Sequence, residues 1–133
     1  MVRHHKALAW EATLKAVFDE IDHDLEDRFG HLYPLHPARP AHGATANPEE
    51  SGLFNVGAAF TAGFGSTFGR GYVVQVRMST LATVSKQVRE ELENEVARQL
   101  RERLPDAFPG KTLHVERDRT GFKIHGDLSL GDL

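Results

Sequence analysis

Apolar residues at Trp10, Leu14, Val17, Phe18, Ile21, Leu25 and Phe29 recur three or four apart, which is the spacing of one helical face. They predict an amphipathic helix from about His5 to Phe29. Gly30 suits a left-handed C-cap, and Pro34, Pro37 and Pro40 keep the helix from resuming. The period then disappears. Residues 31–50, HLYPLHPARPAHGATANPEE, combine turn formers with no hydrophobic repeat and predict a long Pro- and His-rich loop. Leu32, Tyr33 and Leu35 are placed to pin its first part to the core.

From Gly52 the pattern changes to a period of two. Phe54, Phe60, Phe64 and Phe68 share one face if Gly52 to Phe68 is extended. Glycines at 57, 63, 65, 69 and 71 imply bulges, a bend or close backbone approach. Tyr72 to Met78 alternates, with Val74 and Val76 on one side and Val73, Gln75 and Arg77 on the other, as in a half-buried strand hairpinned to the preceding one. Val88, Leu92, Val96, Leu100 and Leu104 then mark a second helix, with Ser85 or Thr83 as N-cap and Pro105 as its stop. Its glutamates crowd the first half, and Arg98, Arg101 and Arg103 the last turns, which complements the helix dipole. Leu113, Val115 and Arg117, followed by Phe122, Ile124 and Gly126, predict a second hairpin around Asp118 to Gly121. The predicted class is α+β. One domain over residues 1–133 packs two long helices on a small antiparallel sheet of about four strands.

Composition agrees with one core: 133 residues, 40% hydrophobic and 26% charged, are ordinary values for a globular chain. The net charge of -3 lacks the basic excess that non-specific phosphate binding requires, which disfavours nucleic acid. With no cysteine, disulfides, thiolate chemistry and Cys-based zinc sites are excluded. The charged N-terminal segment does not read as an export signal, and Ser51 to Gly69 is too polar for a membrane span, so a cytoplasmic protein without membrane association is expected.

Several motifs are approached and none is completed. Gly63, Gly65, Gly69 and Gly71 suggest a phosphate loop, but Arg70 follows Gly69 where Lys-Ser/Thr is needed, and Phe68 stands where a dinucleotide fingerprint requires glycine. Arg70-Gly71-Tyr72 begins like an RNA-binding strand, yet Val73, Val74 and Val76 interrupt it. Ser66 lacks the flanking glycines of a nucleophile elbow. His31, His36 and His42 share the loop with Tyr33, Arg39 and Asn47, but their spacing matches no metal signature, and solvated histidines are expected there. Asp22, Asp24 and Glu26, near Glu20 and His23, read as the solvated face of the first helix. His125 and Asp127 share a strand face without a visible nucleophile. No metal or cofactor is expected, and no catalytic set is complete.

The leading expectation is a binding module for a small anionic or phosphorylated ligand, held between the proline-rich loop and the Gly-rich hairpin. Arg39, Arg70 and Arg77 supply charge, and Tyr33 and His36 supply hydrogen bonds. One alternative is an RNA-binding sheet face carrying Arg77, Arg117, Arg119 and Lys123. Another is a homo-oligomer whose interface is the Gly and Phe segment, because one side of a small sheet is left to be covered.

Overall fold

The computed structural model describes residues 2–64, 67–119 and 121–128, with side chains described from Leu8 onward. Helix α1 runs from Val2 to Phe29 and buries the expected stripe from Trp10 to Leu25. It begins before His5. The side chains of His4 and His5, and the whole of Gly65, Ser66 and Thr120, lie outside the described residues. At the other end Gly30 N donates to Glu26 O at 2.9 Å. Gly30 is not among the glycines with positive φ, so the left-handed cap is not formed. What requires glycine there is space: a Cβ would stand 2.6 Å from Glu26 Oε2.

The loop after α1 has almost no regular structure besides a 3-10 turn at Pro48–Glu50. Arg39 organises it. Its Nε donates to Gly52 O, and its Nη2 to the carbonyls of Glu49, Ser51 and Phe54, so one guanidinium gathers both ends of the segment leading into the sheet. His36 N donates to Ser79 O and Gly52 N to Pro40 O, each at 2.8 Å, which ties the loop to its surroundings through backbone bonds.

Strands β1 (Phe54–Thr61), β2 (Gly71–Met78), β3 (Leu113–Asp118) and β4 (Gly121–Gly126) form one antiparallel sheet in the order β1-β2-β4-β3. Phe54, Val56, Val76, Val115, Phe122 and Ile124 are buried against both helices, so the alternation read from the sequence is the alternation between core and outer face. The α+β architecture and the order of its elements are those expected.

Helix α2 (Lys86–Ala107) is capped by Ser85 Oγ, which accepts from Val88 N at 3.1 Å. Pro105 does not stop it. The helix continues through the proline into its last turn, and Phe108 N still bonds to Leu104 O at 2.9 Å. The helices run antiparallel, as Glu20 pairs with Arg103 at 2.6 Å and Arg28 with Glu95 at 2.9 Å. Arg101 is not a dipole ornament either: it donates to Val115 O and joins α2 to β3.

The phenylalanines divide. Phe54 is buried and Phe60 is largely exposed at the end of β1, while Phe64 and Phe68 fall beyond the strand in the connection to β2. Phe64 is fully exposed, whereas Phe68 stacks on His125 with centroids 4.5 Å apart. Beside it Lys123, buried on the outer face, donates to Gly69 O at 2.7 Å and lies 3.6 Å from Asp118. The Gly-rich connection therefore folds back over the outer face of β4. No helix among the described residues is long and apolar enough to cross a membrane.

Candidate functional site

The five residues expected to hold a ligand are only partly brought together. His36 and Arg39 line an open cavity of about 370 Å³ with Ala38, Met78, Ser79 and Thr80. Tyr33 packs against the core instead. Arg77 is exposed next to Met78, but alternation along β2 sends it to the opposite face. Arg70 precedes the far end of the same strand, roughly 25 Å from Met78 at about 3.3 Å per residue. The four cations considered for RNA do not share a face: Lys123 is buried under the Gly-rich connection, and Arg117 lies over the Phe122 ring at 4.4 Å on the helix side.

Within the cavity the chemistry is well defined. Ala38 N donates to His36 Nδ1 at 3.0 Å, so that nitrogen holds a lone pair and the neutral ring carries its proton on Nε2. Arg39 spends Nε and Nη2 on carbonyls, and its Nη1 makes no hydrogen bond among the described residues. Ser79 and Thr80 line the same opening, whose wall is mostly apolar.

A second cluster lies where the same loop crosses α1. Asp22 and Glu26, one turn apart, are 1% and 8% exposed, although the sequence places them on the solvated face. Burial wins because Asp22 follows Phe18 by four residues and precedes Leu25 by three, which sets both carboxylates on the continuation of the apolar stripe. The loop then closes over them. Glu26 Oε1 accepts from Phe54 N at 2.7 Å. Gly52, at φ 74°, passes so close to this carboxylate that any Cβ would overlap it. Neither oxygen of Asp22 accepts a hydrogen bond of good geometry.

His42 completes the group, with one ligand atom from each of Asp22, Glu26 and His42 lying within 4.8 Å of the others. Its Nδ1 is buried without a partner, and its Nε2 meets His23 Nδ1 at 3.2 Å. Among the described residues no lysine or arginine forms an ion pair with Asp22 or Glu26. Desolvation, reinforced by the neighbouring Glu26 and Asp19 charges, pushes the Asp22 carboxyl up to about 7. The Val56 amide and Arg39 oppose that shift without cancelling it.

Comparison with known proteins agrees with a shared fold unit spanning nearly the whole chain. A relative from Borreliella burgdorferi (strain B31), described as "Uncharacterized protein", is 38% identical over 117 residues, which cover 88% of this chain and 91% of the relative. No solved structure matches. A family model described as "Uncharacterised protein" matches residues 5–126, and the chain belongs to that family.

Proposed function

We propose that the chain is a binding module for a small anionic ligand, of carboxylate or phosphate chemistry, seated in the cavity between the 31–50 loop and the end of β2. The observation that carries this reading is that His36 and Arg39, whose Nη1 makes no hydrogen bond among the described residues, line one opening with Ser79 and Thr80. A cavity of about 370 Å³ falls within the range of small-molecule sites, and a guanidinium beside a neutral imidazole donor favours an anion over a cation. Arg39 is held in place by its carbonyl bonds, so little side-chain entropy is lost on binding. Arg70 and Arg77 have no part in this narrower site.

Thermal-shift titration with inorganic phosphate, sugar phosphates and small carboxylates tests it. A ligand at a hundred times its dissociation constant adds about 2.7 kcal/mol and raises Tm by several degrees. His36→Ala removes the response and costs the unliganded fold at most the one hydrogen bond from Ala38 N to His36 Nδ1, about 1 kcal/mol. A flat panel, or a response that His36→Ala leaves intact, rejects the site.

A further inference from the structure

The geometry points to Asp22, Glu26 and His42 as a site for one divalent first-row cation of the zinc class, which clamps the 31–50 loop onto α1. Buried polar atoms in folded proteins are almost always satisfied. Here both Asp22 oxygens and His42 Nδ1 are buried without a hydrogen bond of good geometry, and one ligand atom from each of Asp22, Glu26 and His42 lies within 4.8 Å of the others. When both are ionised, the two carboxylates have no paired cation among the described residues, and a dication would cancel their charge.

The surroundings orient each ligand. Glu26 Oε1 is held by the Phe54 amide, and its carboxylate sits in the space kept open by Gly30 and Gly52. His42 can donate from Nε2 to His23 Nδ1, and in that tautomer Nδ1 presents a bare lone pair. Such outer partners are the usual supports of metal-bound histidine and carboxylate. His23 is thus a positioning residue, and its exposed ring marks the route from solvent.

The donor set selects the cation. One imidazole with two carboxylates suits zinc, manganese or iron(II), whereas calcium and magnesium favour oxygen-only shells with several waters. The two parts of the chain joined are far apart in sequence, α1 and a loop with little regular structure, and the clamp would add to the Arg39 and backbone bonds that already seat that loop. None of the three ligands lines the His36 cavity, so this inference stands apart from the anion reading.

The test uses the full chain, stripped with EDTA and titrated with zinc against a chromophoric chelator. One equivalent binds, and Tm rises by several degrees with zinc but not with magnesium or calcium. Asp22→Asn and His42→Gln each weaken binding by at least about 100-fold, and His23→Ala by about 10- to 100-fold. His31→Gln, an exposed loop histidine outside the cluster, leaves it unchanged. X-ray absorption on the zinc-loaded wild-type chain gives a reading that does not depend on variants folding, with a mixed shell of carboxylate oxygen and imidazole. Absence of stoichiometric uptake, uptake indifferent to both Asp22→Asn and His42→Gln, or a shell of imidazoles alone overturns the assignment.

Discussion

Replacing Asp22 by asparagine should stabilise the metal-free protein above neutral pH. The side chain keeps its shape and loses only its charge. In the folded chain the carboxyl titrates near 7 instead of 3.8, chiefly because burial removes its water and secondarily because Glu26 lies beside it. Between those values the folded state retains a proton that the unfolded chain has released. Stability therefore falls as pH rises from about 4 to about 7, and levels off above. At about 1.4 kcal/mol per pH unit the full cost is a little over 4 kcal/mol, a large share of the 5–15 kcal/mol typical of a domain.

The asparagine variant carries none of this cost, because its amide resembles the neutral acid in size and polarity. Wild type and Asp22→Asn should consequently be equal in stability near pH 4, with the variant ahead by up to about 4 kcal/mol at pH 8. Urea denaturation in EDTA, followed by the emission of Trp10, measures both. Trp10 is the only tryptophan, and its ring lies buried 4.1 Å from that of Phe108, so its signal reports the core. Saturating zinc should narrow the difference at pH 8, by about 2.7 kcal/mol for a 100-fold difference in affinity, because the wild type binds it more tightly. A stability difference that stays constant from pH 4 to pH 8 refutes the reasoning, since it means that the carboxyl is solvated or already paired.

Glu95 predicts the opposite pH dependence. Hydrogen bonds from Arg98, Arg28 and Gln99 hold its carboxyl down to about 2, so its contribution is present above about 4.5 and lost as pH falls towards 2. Glu95→Gln should cost about 1–2 kcal/mol at pH 7, less than the shift alone implies because both arginines are substantially exposed, and the cost should vanish by pH 2 in urea titrations. Gly52→Ala should destabilise by about 1–3 kcal/mol through its positive φ, and should also abolish zinc uptake by displacing Glu26, which the chelator assay reads separately. Lys123→Met should lower stability by about 3 kcal/mol, because Asp118 and Gly69 O lose a buried cation; a change below about 1 kcal/mol means that the pair contributes only geometry.

The elements are legible in the sequence because their periods are strong. Trp10 to Leu25 and Val88 to Leu104 repeat at helical spacing, and Val74 and Val76 alternate with Val73 and Gln75 at strand spacing. Ends are less legible for local reasons. Pro105 sits in the last turn, where the lost hydrogen bond is cheap to forgo, and Gly30 answers to the bulk of Glu26 rather than to backbone handedness. Arg39 stands out in the sequence for its charge, whereas in the fold its Nη2 alone serves three backbone carbonyls. No periodicity announces that use. It depends on a loop path that only the folded chain defines.

Asp22 and Glu26 show where pattern reading inverts. A carboxylate on a helix is read as solvated because isolated buried charge is costly, and that prior is sound for most acids. Yet Leu14, Phe18, Asp22 and Glu26 stand four apart in one row, whose first two members are core. The row continues into the interior only because residues 39–54 cross over it, carrying Gly52 against Glu26 and His42 towards Asp22. A polar residue on an apolar stripe is therefore the informative exception, since folding keeps it there against its desolvation cost. In this chain two such residues meet a histidine from a distant loop, and the cation that balances them gives that cost a reason.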